Sequence, residues 1–249
     1  MKNATEFAKK FKTFRRKLPA AEVVEIDNGV IGEVVYSHLL WNATFKQATI
    51  AYKKMISATV DLNDLRVNHV FETIDLIGSN YPQAHERAKR LRAVLNSVYQ
   101  REHNVSVASL QSAGKRDIRE YFDTLTGITP FVCNRVIALC YSVAAMPVDD
   151  RTLAALISNE LVHDSAGIAE VSAWLVRQVN AADVTDVHIR LHSWASTLKF
   201  RPTKNSVKKE SATKPRPKIS VVKKKVSKKT TTKNKVSTRK KTTKKKTKK

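Results

Sequence analysis

The chain has 249 residues and a formal net charge of +24, from 46 Lys and Arg against 22 Asp and Glu. From Arg201 onward, 22 Lys and Arg face a single acid, Glu210, so +21 of that charge lies in the last stretch and residues 1–200 carry only +3. A nearly neutral segment long enough to bury a real core is therefore followed by a polycation. No apolar run reaches the roughly 18 residues of a membrane span. The basic start of the chain also lacks the apolar stretch of a secretory signal.

Residues 1–20 read as a basic amphipathic helix, with Phe7, Phe11 and Phe14 at i, i+4, i+7 among Lys9, Lys10, Lys12, Arg15 and Arg16. A docking helix with a solvated polar face is preferred over a DNA-contacting arm. After the turn signal Asp27-Asn28-Gly29, one long helix is expected from about Ile31 to Ile56, with Val34, Val35, Leu39, Trp41, Phe45 and Tyr52 on its apolar face. A second is expected from Leu65 to Ile77, before the break at Gly78-Ser79-Asn80-Tyr81-Pro82. From Gln83 to Tyr99 the spacing of Ala84, Ala88, Leu91, Leu95 and Val98 is helical, which puts Arg87, Lys89, Arg90 and Arg92 on the outside. A short capped segment at Asn104–Leu110 and a helix at Lys115–Leu125 follow, and further helices are expected at Thr152–His163, Ile168–Asn180 and Val184–Leu198. Strands find little support, so residues 1–200 read as one all-α domain.

The central stretch is Asp123 to Arg151. Leu125-Thr126-Gly127-Ile128-Thr129-Pro130 combines a tight hairpin with a helix start. Gly127 supplies the positive φ, Thr129 is an N-cap, and Pro130 takes the first helical position, where its missing N–H costs nothing. The helix runs on through Val132, Val136, Leu139, Cys140 and Val143 until Pro147, and Val148-Asp149-Asp150 opens the next one. Such a hairpin aims several backbone N–H groups at one place, an anion-binding arrangement. Cys133 and Cys140 stand two turns apart on this helix, about 10 Å, too far for a disulfide, and both read as small buried hydrophobes. His188 and His192 share a helix face at i, i+4, but with no third ligand they read as surface or packing residues, and no metal site is expected.

Hairpin, helix and Val-Asp in this order resemble the helix-hairpin-helix DNA glycosylase superfamily, the endonuclease III-like repair proteins, whose pattern is L-P-G-V-G-x-K-T-A followed by V-D-T-H. The matching residues are Leu125 to Cys133 and Val148 to Arg151. The resemblance implies two helical lobes with the motif flanking a cleft, double-stranded DNA as partner, a monomer, and base-excision chemistry with no small-molecule cofactor. It places Asp149 as the catalytic carboxylate that stabilises positive charge on the sugar once a base has been flipped out. The plainer role for Asp149 or Asp150 is to N-cap the following helix. The lyase branch's lysine falls on Phe131, so the enzyme implied is monofunctional. The second hairpin glycine is Thr129, whose Cβ resists the left-handed conformation and alters the phosphate grip. Main-chain N–H groups near Gly127, Thr129 and Phe131 remain the expected DNA contacts, and Asn42 aligns with the Gln that fills the hole left by a flipped base. No cysteine follows Cys140, so the four-cysteine iron–sulfur loop of many relatives is absent.

Residues 201–249 have no aromatics and repeat KK, KT and KS units, a composition expected to stay disordered. Lys223, Lys224, Lys225, Lys240 and Lys241 are its expected DNA contacts, in a tail similar in composition to those of linker histones. A cytoplasmic, nucleoid-associated location is expected, or the nucleus in a eukaryote. The competing expectation is a catalytically inactive DNA-binding protein on the same scaffold. RNA binding has no aromatic motif behind it.

Overall fold

The computed structural model describes residues 3–21 and 24–199; the five tail lysines named above lie outside them. Among the described residues there are eleven α-helices, two short 3-10 turns and no strand. In chain order the helices are α1 Ala4–Lys17, α2 Gly29–Leu40, α3 Phe45–Ser57, α4 Leu62–Val67, α5 Val70–Ile77, α6 Ala84–Glu102, α7 Lys115–Asp123, α8 Pro130–Tyr141, α9 Asp150–Ser158, α10 Ile168–Gln178 and α11 Val184–Thr197. None is long and apolar enough to cross a membrane.

Two helices expected to be continuous are broken. The Ile31–Ile56 pattern splits into α2 and α3 because Asn42 takes a left-handed φ of 55° and Thr44 starts a new helix with a capping box. Gln47 N donates to Thr44 Oγ1 at 3.2 Å while Thr44 N donates back to Gln47 Oε1 at 3.0 Å. The corner is itself buried, at Trp41 and Ala43, so the apolar pattern runs through it unbroken. The Leu65–Ile77 pattern likewise divides into α4 and α5, where His69 N donates to Glu72 Oε2 at 2.6 Å.

Two hydrophobic clusters form. The first gathers α2 to α8 around Val34, Leu39, Met55, Leu95, Phe122 and Val136. The second joins α1 to α9, α10 and α11 around Phe11, Met146, Val148, Leu156, Trp174 and Leu191. The aromatic face of α1 docks here: Phe11 meets Trp174 edge-on at 5.7 Å, and Phe14 meets Trp194 at 4.7 Å. A buried ion pair between Glu33 and Arg135 ties α2 to α8, and Ser37 Oγ bonds to both partners at 3.0 Å.

Two side chains, Cys140 and Arg87, lie where the sequence did not put them. Cys133 is buried as expected, but Cys140 is exposed. His188 and His192 are both buried, packing rather than surface residues. Arg87, assigned to the outer face of α6, is fully buried. It emerges from the side of α6 that meets the end of α2, and carbonyl oxygens there satisfy it.

Candidate nucleic-acid and catalytic site

The turn between α7 and α8 is built as its sequence suggests. Gly127 has φ 92°, and a Cβ there would fall 2.8 Å from Arg90 O and 2.9 Å from Ala93 Cβ. The glycine therefore serves both the left-handed turn and the close approach to α6. Thr126 N donates to Ser97 Oγ at 3.3 Å, a second tie to the same helix. Thr129 is buried and extended, φ −102°, and its Oγ1 accepts from Val132 N at 3.3 Å with Pro130 at the first helical position. In place of a left-handed residue, the hairpin thus has an ordinary N-cap, at no backbone strain. Phe131 points inward, its ring 6.0 Å from that of His188 and 5.8 Å from that of His192. Where the resemblance would put a nucleophilic lysine there is an aromatic cluster, which Phe45 completes at 5.0 Å from His192.

Asp149 has no exposed surface. It caps α9, with Oδ1 accepting from Thr152 N at 2.8 Å. Its Oδ2 accepts from Asn42 N at 3.0 Å, and His192 Nε2 lies 3.5 Å away. Burial alone would raise its pKa; the His192 and Thr152 interactions more than offset this and hold it down to about 2. Asp150 behaves oppositely, its pKa raised by burial. Asn42 Nδ2 donates to Asp150 Oδ2 at 3.0 Å, and Asp150 N donates to Asn42 Oδ1 at 3.1 Å. Asn42 thus laces both acids to the α2–α3 corner, and its amide is engaged at both ends. A recess of about 310 Å³ opens alongside, lined by Asp150, Arg151, Leu153, Ala195, Leu198 and Lys199 among others, but not by Asp149.

The fold thus gathers Asp149, Asn42 and Phe131 at one place. Gly127 sits one element away, over Arg90, whose guanidinium lies 5.5 Å from the Trp41 ring. Sequence reasoning missed His192 as a neighbour of Asp149. The i, i+4 spacing with His188 was visible, but only the fold shows that this face meets α8. Among the described residues no three His, Cys, Asp or Glu converge as a metal site would require.

No protein-family profile matches the chain, and no curated protein matches its sequence. Solved structures do. A non-covalent endonuclease III–DNA complex superimposes with a TM-score of 0.60 at 14% identity, covering 77% of this chain and 85% of that one. The fold is that of the helix-hairpin-helix DNA glycosylases. A trapped endonuclease III–DNA covalent intermediate gives 0.59 at 15% identity over 77% and 85% of the two chains. An H. pylori 3-methyladenine DNA glycosylase bound to 1,N6-ethenoadenine gives 0.56 at 14% over 79% and 99%. The shared fold accounts for the all-helical order of the elements.

Proposed function

We propose that this chain binds duplex DNA through its hairpin face and its basic tail, and hydrolyses an N-glycosidic bond with Asp149 as a monofunctional glycosylase. The observation that carries the chemical part is the state of Asp149: a rigid carboxylate, held by two backbone N–H groups and kept ionised at any physiological pH. As the bond from sugar C1′ to the base breaks, positive charge grows on the sugar, and a fixed negative charge stabilises it without reorganising. A carboxyl with a pKa near 2 is a weak proton acceptor, so its part is electrostatic, with water adding to C1′ and giving its proton to solvent. With Phe131 at the position of the lyase lysine, the hairpin itself supplies no amine to form a Schiff base.

A second reading has its own observation. Asp149 is wholly covered and every lone pair that the neighbours reach is used, which is what a purely structural helix cap needs. On that reading the chain is a catalytically silent DNA-binding protein with a glycosylase fold. A panel of duplexes carrying uracil, mismatched thymine, oxidised pyrimidines, 8-oxoguanine or alkylated purines separates the two. Strand breaks that need alkali support the monofunctional enzyme, whereas tight salt-sensitive binding without release supports the silent protein. Breaks without alkali contradict the assignment of Phe131 to the lysine position.

A further inference from the structure

Arg87 is one of the largest fully buried side chains in the fold, and it pairs with no carboxylate among the described residues. Its guanidinium donates only to carbonyl oxygens. Nη1 reaches His38 O, Nη2 reaches Trp41 O at 2.5 Å and Pro82 O at 3.1 Å, and Nε reaches Pro82 O at 3.2 Å. The Tyr81 and Trp41 rings lie 5.0 Å and 5.8 Å from its central carbon. A buried cation without a counter-ion is a costly arrangement unless a negative charge is close by.

The counter-charge is one peptide group away. The Trp41 carbonyl that accepts from Arg87 and the Asn42 N–H that donates to Asp149 belong to the same amide. The cation pulls on the oxygen of that amide while the anion pulls on its N–H. Amide resonance makes each pull strengthen the other. Cation, peptide and anion form one buried line running from α6 through the α2–α3 corner to the start of α9. The bonds to His38 and Pro82 fix the frame in which Asn42 adopts its left-handed φ.

We propose that Arg87 is a positioning residue for Asp149, acting through the Trp41–Asn42 peptide to hold the carboxylate in place and in its charged form. The inference rests on reading Asp149 as the carboxylate of the site. The influence of the carboxylate is felt at Arg87. Burial lowers the Arg87 pKa to about 10, with Tyr81 and Asp149 pulling it back up. Around Asp149, the other titratable groups are His192 and His188 on α11 and Asp150 on α9, with Arg135 on α8 acting on His188.

The test compares the full chain with Arg87→Met and Arg87→Lys, following the Asp149 side-chain carboxyl by carbon NMR, its resonance identified by Asp149→Asn. Arg87→Met is expected to raise the Asp149 pKa by a unit or more, a tenfold change in its proton affinity. Arg87→Lys, which keeps the charge but loses the planar fork, is expected to give a smaller rise. If only the Lys variant folds, a rise in that variant supports the relay. An Asp149 titration unchanged from wild type in every variant that folds overturns it, because a side chain that merely fills space would leave that titration alone. Base release is measured alongside, where Arg87→Lys is expected to slow release severalfold without weakening duplex binding. If the wild type releases no base, the titration still decides the relay, so the two failures are distinguishable.

Discussion

Replacing Asp149 with Asn removes the charge at nearly constant shape, and the consequence for acid stability can be worked out. The carboxyl has a pKa of about 2 in the folded protein against a model value of 3.8. At roughly 1.4 kcal/mol per unit, this depressed pKa contributes about 2 kcal/mol to stability at neutral pH. Because the folded value lies below the unfolded one, the contribution is complete above about pH 4–5 and is lost as pH falls through the two values. About half of it, roughly 1 kcal/mol, is gone by pH 3. Urea unfolding of wild type and Asp149→Asn at intervals from pH 7 to pH 3 isolates the effect, since every other carboxylate titrates in both proteins. The variant starts less stable, because its amide turns an NH₂ toward a backbone donor that Asp149 satisfied, at about 1–3 kcal/mol. The gap should then narrow by roughly 1 kcal/mol on the way to pH 3. Curves that stay parallel over that range refute the ionised, buried Asp149 described here.

Other outcomes follow from single contacts. Gly127→Ala combines a positive φ with a Cβ 2.8 Å from Arg90 O, and should cost at least about 2 kcal/mol in denaturant unfolding. In a chain lacking residues 201–249, the same change should also weaken duplex binding. Glu33→Ala leaves Arg135 as an uncompensated charge on a side chain only 3% exposed, and should cost about 3–5 kcal/mol. Removing residues 201–249 should flatten the log–log salt dependence of duplex binding by about 7, if the tail makes roughly eight phosphate contacts. An unchanged slope would place the electrostatic grip in residues 1–200.

The all-α class, the hairpin and its N-cap were legible because each rests on local chemistry: Gly127 for the turn, Thr129-Pro130 for the helix start, 3.6-residue periodicity for the rest. The corner at Asn42 was not, because both flanking helices and the corner itself are buried, and hydrophobic periodicity cannot register a break that stays inside the core. The environment of Asp149 was half visible. Its cap role follows from its neighbours in sequence, whereas Asn42 and His192 reach it only through the fold, from 107 residues before and 43 residues after. Arg87 shows the limit most clearly. Charge and spacing put it on the surface of α6, and only the carbonyls left open at the end of α2 give it a reason to be inside.

The most direct test of the account is single-turnover base release by wild type and Asp149→Asn on the same duplex panel, with duplex affinity measured in parallel. The account predicts release by the wild type that becomes a strand break only after alkali, loss of that release in the variant, and equal affinity in both. Equal release by the two proteins would contradict it and leave Asp149 as no more than the cap of α9, and no release from any duplex despite tight binding would contradict it and leave a silent DNA-binding protein.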